Sequence, residues 1–128
     1  MTAGLSGQAS DVPYPDTPPR RGEIYWVDFD PARGSEQAGH RPAAVISLDS
    51  FNSRMPVVVV AAITSKIKAA ASYVVVDLPE GQPLPLAGQV LAFQVMTIDK
   101  ERLEKYVGTM SGEQIRKLND ALRLAWGL

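Results

Sequence analysis

The feature that most limits what this chain can fold into is the run Met55–Ile63, nine residues dominated by four consecutive valines. Branching at Cβ restricts χ1 and favours the extended backbone. The run is less than half the roughly 20 apolar residues a membrane helix requires. Its apolar character does not alternate, so it reads as a central strand buried on both faces, with a neighbouring strand on each side. The partners are visible in the same sequence. Glu23–Phe29 is aromatic and β-branched, with imperfect alternation, and Ala43–Leu48, Ser72–Leu78, Gln89–Val95 and Tyr106–Met110 are further β-type runs. Between them, Asp49–Arg54 reads as a polar turn or a single helical turn, Pro79–Gly88 as a Pro/Gly-rich loop, and Ile98–Leu103 as a short turn.

The last segment changes period. Ser111-Gly112-Glu113-Gln114 has the form of a capping box, Ser at N-cap and Gln at N3. After it Ile115, Leu118, Leu122, Ala125 and Trp126 share one helical face, with Leu124 pointing away. The sum is a mainly β domain of five or six short strands, a small curled sheet or partly open barrel, with one terminal helix packed on it. Residues 1–20 are rich in proline, glycine and small polar residues with few large apolar side chains, and are expected to form a flexible tail ahead of one domain at 21–128.

Between the first two strands lies Pro31–Pro42, Pro-Ala-Arg-Gly-Ser-Glu-Gln-Ala-Gly-His-Arg-Pro. Most loops of compact domains have about 4–6 residues, so this one is long. Gly34 and Gly39 allow backbone N–H groups to approach a ligand closely, and Arg, Ser, Glu, Gln and His crowd donors and acceptors together. Two readings stand side by side, a solvated surface loop and a binding or catalytic loop held by its flanking strands.

Composition narrows the chemistry. The chain has 128 residues, 45% of them hydrophobic, no cysteine and one histidine. Disulfides, thiol nucleophiles and a histidine-rich zinc site are thereby excluded, and no cofactor or metal is expected. The N-terminus lacks a signal-peptide pattern, and a soluble, cytoplasmic protein without membrane association is expected. The net charge of −1 is neutral on nucleic-acid binding. From Arg20 to Lys68, however, seven basic residues (Arg20, Arg21, Arg33, Arg41, Arg54, Lys66, Lys68) face five acidic ones. Most fall in loops, where they either meet in one groove that contacts phosphates or are scattered as solvated charge.

Several stretches together resemble a known family. They are Arg21-Gly22-Glu23-Ile24-Tyr25-Trp26-Val27-Asp28, Gly34-Ser35-Glu36-Gln37-Ala38-Gly39-His40-Arg41-Pro42, Ala61-Ala62-Ile63-Thr64-Ser65, Gln94-Val95, and Thr97-Ile98-Asp99-Lys100-Glu101-Arg102-Leu103. In this order and spacing they resemble the MazF/PemK-like toxins of bacterial toxin–antitoxin systems, from about Arg20 to the C-terminus. The resemblance implies an SH3-like β-barrel of five to seven strands, of the kind shared with the CcdB gyrase poisons, usually as a homodimer. It implies an mRNA interferase, a metal-independent endoribonuclease that cuts single-stranded RNA at a short sequence. The implied protein partner is a MazE-like antitoxin whose tail occupies the RNA groove. Carried over position by position, Arg41 and Thr64 are the catalytic pair. Gly34, Ser35, Glu36, Gln37, Gly39, Ser65, Lys66 and Gln94 are the RNA-binding residues.

The chemistry of those residue types agrees with the carry-over. RNA can be cut without a metal when its own 2′-hydroxyl attacks, leaving a 2′,3′-cyclic phosphate and a 5′-hydroxyl. Arg41 offers a permanent cation with a fork of donors suited to phosphate oxygens. Thr64 offers a hydroxyl that positions or relays a proton, though it is a poor base. Each also has a plainer reading, Arg41 as a surface partner of Glu36 and Thr64 as a strand-end hydroxyl satisfying a turn. His40 titrates near neutral pH, but the motif does not demand histidine there and it reads as a bystander. Tyr25 and Trp26 read as core before base-stacking. Two positions depart from the family, where an acidic residue before Gln94 and a basic one two places after it are replaced by Phe93 and Met96. Two alternatives remain open: a CcdB-like toxin that binds gyrase and does no chemistry, and a catalytically silent RNA- or protein-binding module.

Overall fold

The computed structural model of the chain describes residues 17–29, 39–66 and 74–128. The elements are strand β1 (Glu23–Asp28), strand β2 (His40–Val45), helix α1 (Asp49–Arg54), strands β3 (Val57–Thr64), β4 (Val75–Leu78) and β5 (Gly88–Asp99), a 3₁₀ turn (Lys100–Arg102), strand β6 (Leu103–Thr109) and helix α2 (Gly112–Trp126). The six strands form one sheet in the order β4-β5-β3-β2-β1-β6, every pair antiparallel. The sheet is curled but not closed, since β4 and β6 are its two edges. The expected small, partly open barrel with one long terminal helix is the observed architecture.

The valine run lies third in the sheet, between β5 and β2. Its period-2 alternation feeds two separate cores. Val58 and Val60 face one cluster with Tyr25, Val27, Phe29, Ala43, Val45, Ile98 and Leu103. Ala61 and Ile63 face another with Ile24, Ala44, Val76, Leu78, Val90 and Leu118. Both faces of β1 to β3 are therefore covered, which is why their sequences read as unbroken apolar runs and why the alternation in β1 looked imperfect.

β5 is longer than expected and runs on through Asp99, so Ile98 is strand and only Lys100–Arg102 turns. Ala61 faces Val95 while Ile63 faces Val90, so two steps along β3 span five along β5, and the extra residues bend β5. β2 begins three residues before the expected Ala43, because His40, Arg41 and Pro42 pair with Asp28, Val27 and Trp26. Asp49–Arg54 forms the helical turn, and Ser72–Leu78 is strand from Val75, its first two residues lying outside the described ones.

The capping box on α2 is formed: the Gln114 amide donates to Ser111 Oγ at 3.1 Å, and the Ser111 amide to Gln114 Oε1 at 2.8 Å. The buried Gln114 side chain also donates to the Gln82 carbonyl at 2.8 Å, tying the helix to the 79–88 loop. Leu118 and Ala121 are buried, with Ile115, Leu122 and Ala125 packed beside them, and Leu124 faces solvent as expected. Trp126 was expected on the packed face. Its indole N–H reaches the Ala92 carbonyl at 2.7 Å, but about half of the residue (52%) is exposed.

The expected tail lies mostly at residues 1–16, outside the described residues. At its end Pro19 is buried, and its carbonyl accepts from the fully buried Asn52 side chain at 3.0 Å. Asn52 also donates to the Ser47 carbonyl at 3.0 Å and accepts from the Ser47 hydroxyl, so a buried amide has its polar atoms paired.

Candidate active site

Antiparallel register brings Arg41 and Thr64 together. Ala43 pairs with Ala62, and continuing that register two residues towards the strand ends sets Arg41 level with Thr64. The pairing stops at Ala43–Ala62, so β2 and β3 part there and a groove opens between them. That groove has a volume of about 330 Å³. Arg41 and His40 line it from β2, Ile63, Thr64 and Ser65 from the end of β3, and Trp26 from β1. The opposite wall is the loop before β5, Leu84 to Gly88.

Thr64 sits at the foot of the groove, 9% exposed. Its Oγ1 accepts the Lys66 amide N–H at 3.1 Å, which leaves the hydroxyl proton to be donated elsewhere. On its far side β3 pairs with β5 through Thr64–Gln89, and Gly88 packs against it. A Cβ built on Gly88 would lie 2.8 Å from the Thr64 carbonyl oxygen, so glycine is what lets the two backbones approach. Gln89 is buried and donates to Asp77 Oδ1 at 2.9 Å, which fixes this side of the groove. Gly39, with φ of +69°, occupies the left-handed region that favours glycine, and its carbonyl accepts the Phe29 amide at 2.9 Å. The entry to β2, and with it His40 and Arg41, is set by that turn.

The expected site residues fall into three groups. Arg41, Thr64 and Ser65 line one groove, with Gly39 and Lys66 adjoining it in sequence. Gly34, Ser35, Glu36 and Gln37 lie outside the described residues. Gln94 stands in the irregular part of β5, away from the groove lining, with Phe93 partly exposed beside it and Met96 packed against the core that holds Val58 and Val60.

Trp26 was expected in the core. It is 39% exposed and lines the groove, whereas Tyr25 is buried and packs edge-to-face on Tyr106 at 5.7 Å between ring centres. His40, expected as a bystander to the chemistry, lines the groove, and its Nδ1 lies 2.8 Å from Glu104 Oε1. The wall from Leu84 to Ala87 carried no assignment. Its signal in the sequence was an apolar Leu-Pro-Leu inside a turn-rich loop, where a solvated spacer has no use for leucine.

The basic residues do not all gather here. Among the described ones, Arg41 alone lines the groove. Arg21 is structural: its Nε donates to the Ile46 carbonyl at 2.7 Å and its amide to Asp49 Oδ1 at 2.7 Å. Burial lowers the Arg21 pKa from its usual value, and the nearby Asp49 carboxylate opposes that shift.

A family model described as PemK-like, MazF-like toxin of type II toxin–antitoxin system matches residues 20–126. The chain belongs to that family. It is 36% identical over 110 residues to an endoribonuclease MazF of Staphylococcus saprophyticus, covering 85% of this chain and 92% of that protein. Crystalline MazF from Deinococcus radiodurans superposes with a TM-score of 0.77 at 26% identity, over 88% of this chain and all of that one. A mycobacterial endoribonuclease solved with its cognate antitoxin gives 0.73 at 27% identity, over 86% and 96% of the two chains. The MazF-like core thus accounts for the whole described sheet and α2. No helix among the described residues is long and apolar enough to cross a membrane.

Proposed function

We propose that this chain is the toxin of a type II toxin–antitoxin pair, a MazF-type endoribonuclease that cuts single-stranded RNA, mRNA among it, at a short preferred sequence. It acts in the cytoplasm as a homodimer and is held inactive by a MazE-like antitoxin. Family membership and the endoribonuclease relatives support the activity. The observation that carries the mechanism is the convergence of Arg41 and Thr64, 23 positions apart, at one groove where β2 and β3 separate.

Cleavage begins when the ribose 2′-oxygen attacks the adjacent phosphorus and loses its proton. The P–O5′ bond breaks, the 5′-oxygen takes up a proton, and the products are a 2′,3′-cyclic phosphate and a 5′-hydroxyl. No metal is required. Negative charge builds on the non-bridging oxygens, where the Arg41 guanidinium supplies a fixed cation and paired donors. The Thr64 hydroxyl, already accepting from Lys66 N–H, donates its own proton to a substrate oxygen and holds the phosphate in line. Ser65, Lys66 and Gly39 flank this point and contact the RNA; Gly34, Ser35, Glu36 and Gln37 are further RNA-binding residues of this reading, and Gln94 on β5, outside the groove lining, contacts the RNA beyond it. The same groove takes the antitoxin tail.

The test is cleavage of RNA by the purified chain and by Arg41→Ala. Arg41 is exposed, so its loss leaves the fold intact. Removing one preorganised donor lowers the rate about 10²–10³-fold. Arg41→Lys recovers part of it, since a point charge cannot make the forked contact. A chain that leaves RNA intact but traps gyrase on DNA would make it a CcdB-like poison instead.

A further inference from the structure

Three adjacent strands place one potential metal ligand each at the same end of the sheet. Asp28 on β1 pairs directly with His40 on β2. Across β1 on the other side, Trp26 pairs with Lys105 and Val27 with Leu103, which makes Glu104 the extra residue of a β-bulge in β6. A bulge re-aims the side chain it carries. Here it sends Glu104 back over β1 to within 2.8 Å of His40 Nδ1, two strands away. The donor atoms of Asp28, His40 and Glu104 all lie within 4.8 Å of one another.

We infer that Asp28, His40 and Glu104 form a binding site for a divalent transition metal of the Zn²⁺ class, at the rim of the groove. Zn–N and Zn–O bonds of about 2.0–2.2 Å set tetrahedral ligand atoms roughly 3.4 Å apart. The His40–Glu104 pair, at 2.8 Å, opens slightly to reach that spacing, while a pair at the 4.8 Å limit closes by little more than an ångström. Glu104 and His40 are exposed enough to adjust by side-chain rotation, while Asp28 is half-buried. One imidazole with two carboxylates suits a borderline ion, whereas Mg²⁺ and Ca²⁺ prefer oxygen-only shells. Three protein ligands leave positions for water, so the site is an open one.

Arg102 stands beside the cluster, its Nη1 donating to the Asp28 carbonyl at 3.1 Å. Binding is expected to be weaker than at a closed four-ligand structural site.

The chain's lack of cysteine and its single histidine make the test clean, because any imidazole-dependent site must use His40. Untagged full-length protein is titrated with Zn²⁺ by calorimetry, with native mass spectrometry to count ions. One Zn²⁺ per chain is expected, undisturbed by excess Mg²⁺. His40→Ala, Asp28→Asn and Glu104→Gln should each raise the Kd at least about tenfold. Glu80→Gln, an exposed carboxylate elsewhere, should bind as the parent does. Absence of Zn²⁺ binding in the parent overturns the site, as does binding that survives His40→Ala and Glu104→Gln. Because no RNA is present, failure here leaves the ribonuclease reading untouched.

Discussion

Thr64 is the position where stability and chemistry separate most cleanly. Its methyl group is buried at the end of β3 and its Oγ1 accepts the Lys66 N–H at 3.1 Å. Thr64→Ser keeps the hydroxyl and deletes the methyl, which costs about 1 kcal/mol for one buried carbon and the small void left behind. Thr64→Val keeps the shape and β-branching but removes the acceptor. Lys66 is exposed, so water takes up the freed N–H and the loss is again about 0.5–1.5 kcal/mol. The two variants should therefore melt within a few degrees of each other, each about 2–6 °C below the parent. Their rates should not match. In single-turnover cleavage of a short fluorescent RNA with protein in excess, Thr64→Ser should stay within about tenfold of the parent, while Thr64→Val should fall about 10²-fold or more. If the valine variant cuts within about threefold of the parent, the hydroxyl does not act in the reaction, whatever its position. If the serine variant falls as far as the valine one with the same melting temperature, the methyl packing rather than the proton is what matters.

Two further outcomes follow from the packing. Gly88→Ala brings a methyl to 2.8 Å from the Thr64 carbonyl oxygen, so it should destabilise the fold by about 1–3 kcal/mol and displace the end of β3, read as a lower melting temperature and a lower kcat at unchanged Arg41. The exposed apolar residues Phe93, Leu124, Trp126 and Leu128 call for a cover, and in the proposed homodimer a symmetric second copy would supply one. Sedimentation should give a mass near twice the 13.8 kDa of the chain, and a monomer in an active preparation contradicts that arrangement.

Much of the fold was legible because it depends on short-range signals. The valine run, the β-branched stretches and the Ser111–Gln114 capping box each specify local structure through their own neighbours. The boundaries that moved were set by partners distant in sequence. His40, Arg41 and Pro42 are not β-rich, and they become strand because β1 offers a pairing edge. Ile98 stays in strand because β3 runs alongside it. Of the site, Arg41 and Thr64 could be named through the family motif, but their juxtaposition rests on the β2–β3 register, which no single stretch encodes. Trp26 was misplaced for a related reason. A strand with apolar residues on both faces gives no sequence sign of which one is left at an opening, and only the parting of β2 from β3 exposes it. The Leu84–Ala87 wall showed locally only as Leu-Pro-Leu in a turn-rich loop, with nothing to say that it faces Arg41 and Thr64, and the Glu104 bulge is a product of β1–β6 pairing with no local signature.

The most direct test of the central claim replaces one atom of the substrate. An RNA with a single 2′-deoxy nucleotide on the 5′ side of the cut keeps every phosphate and base but lacks the attacking oxygen. If the 2′-oxygen is the nucleophile and Arg41 with Thr64 serves that step, this RNA binds the protein and is not cut, while EDTA leaves cleavage of the all-ribose strand unchanged. Cleavage of the deoxy substrate, or loss of cleavage in EDTA with rescue by Mg²⁺, would mean attack by water or help from a metal, and would contradict the roles given to both residues.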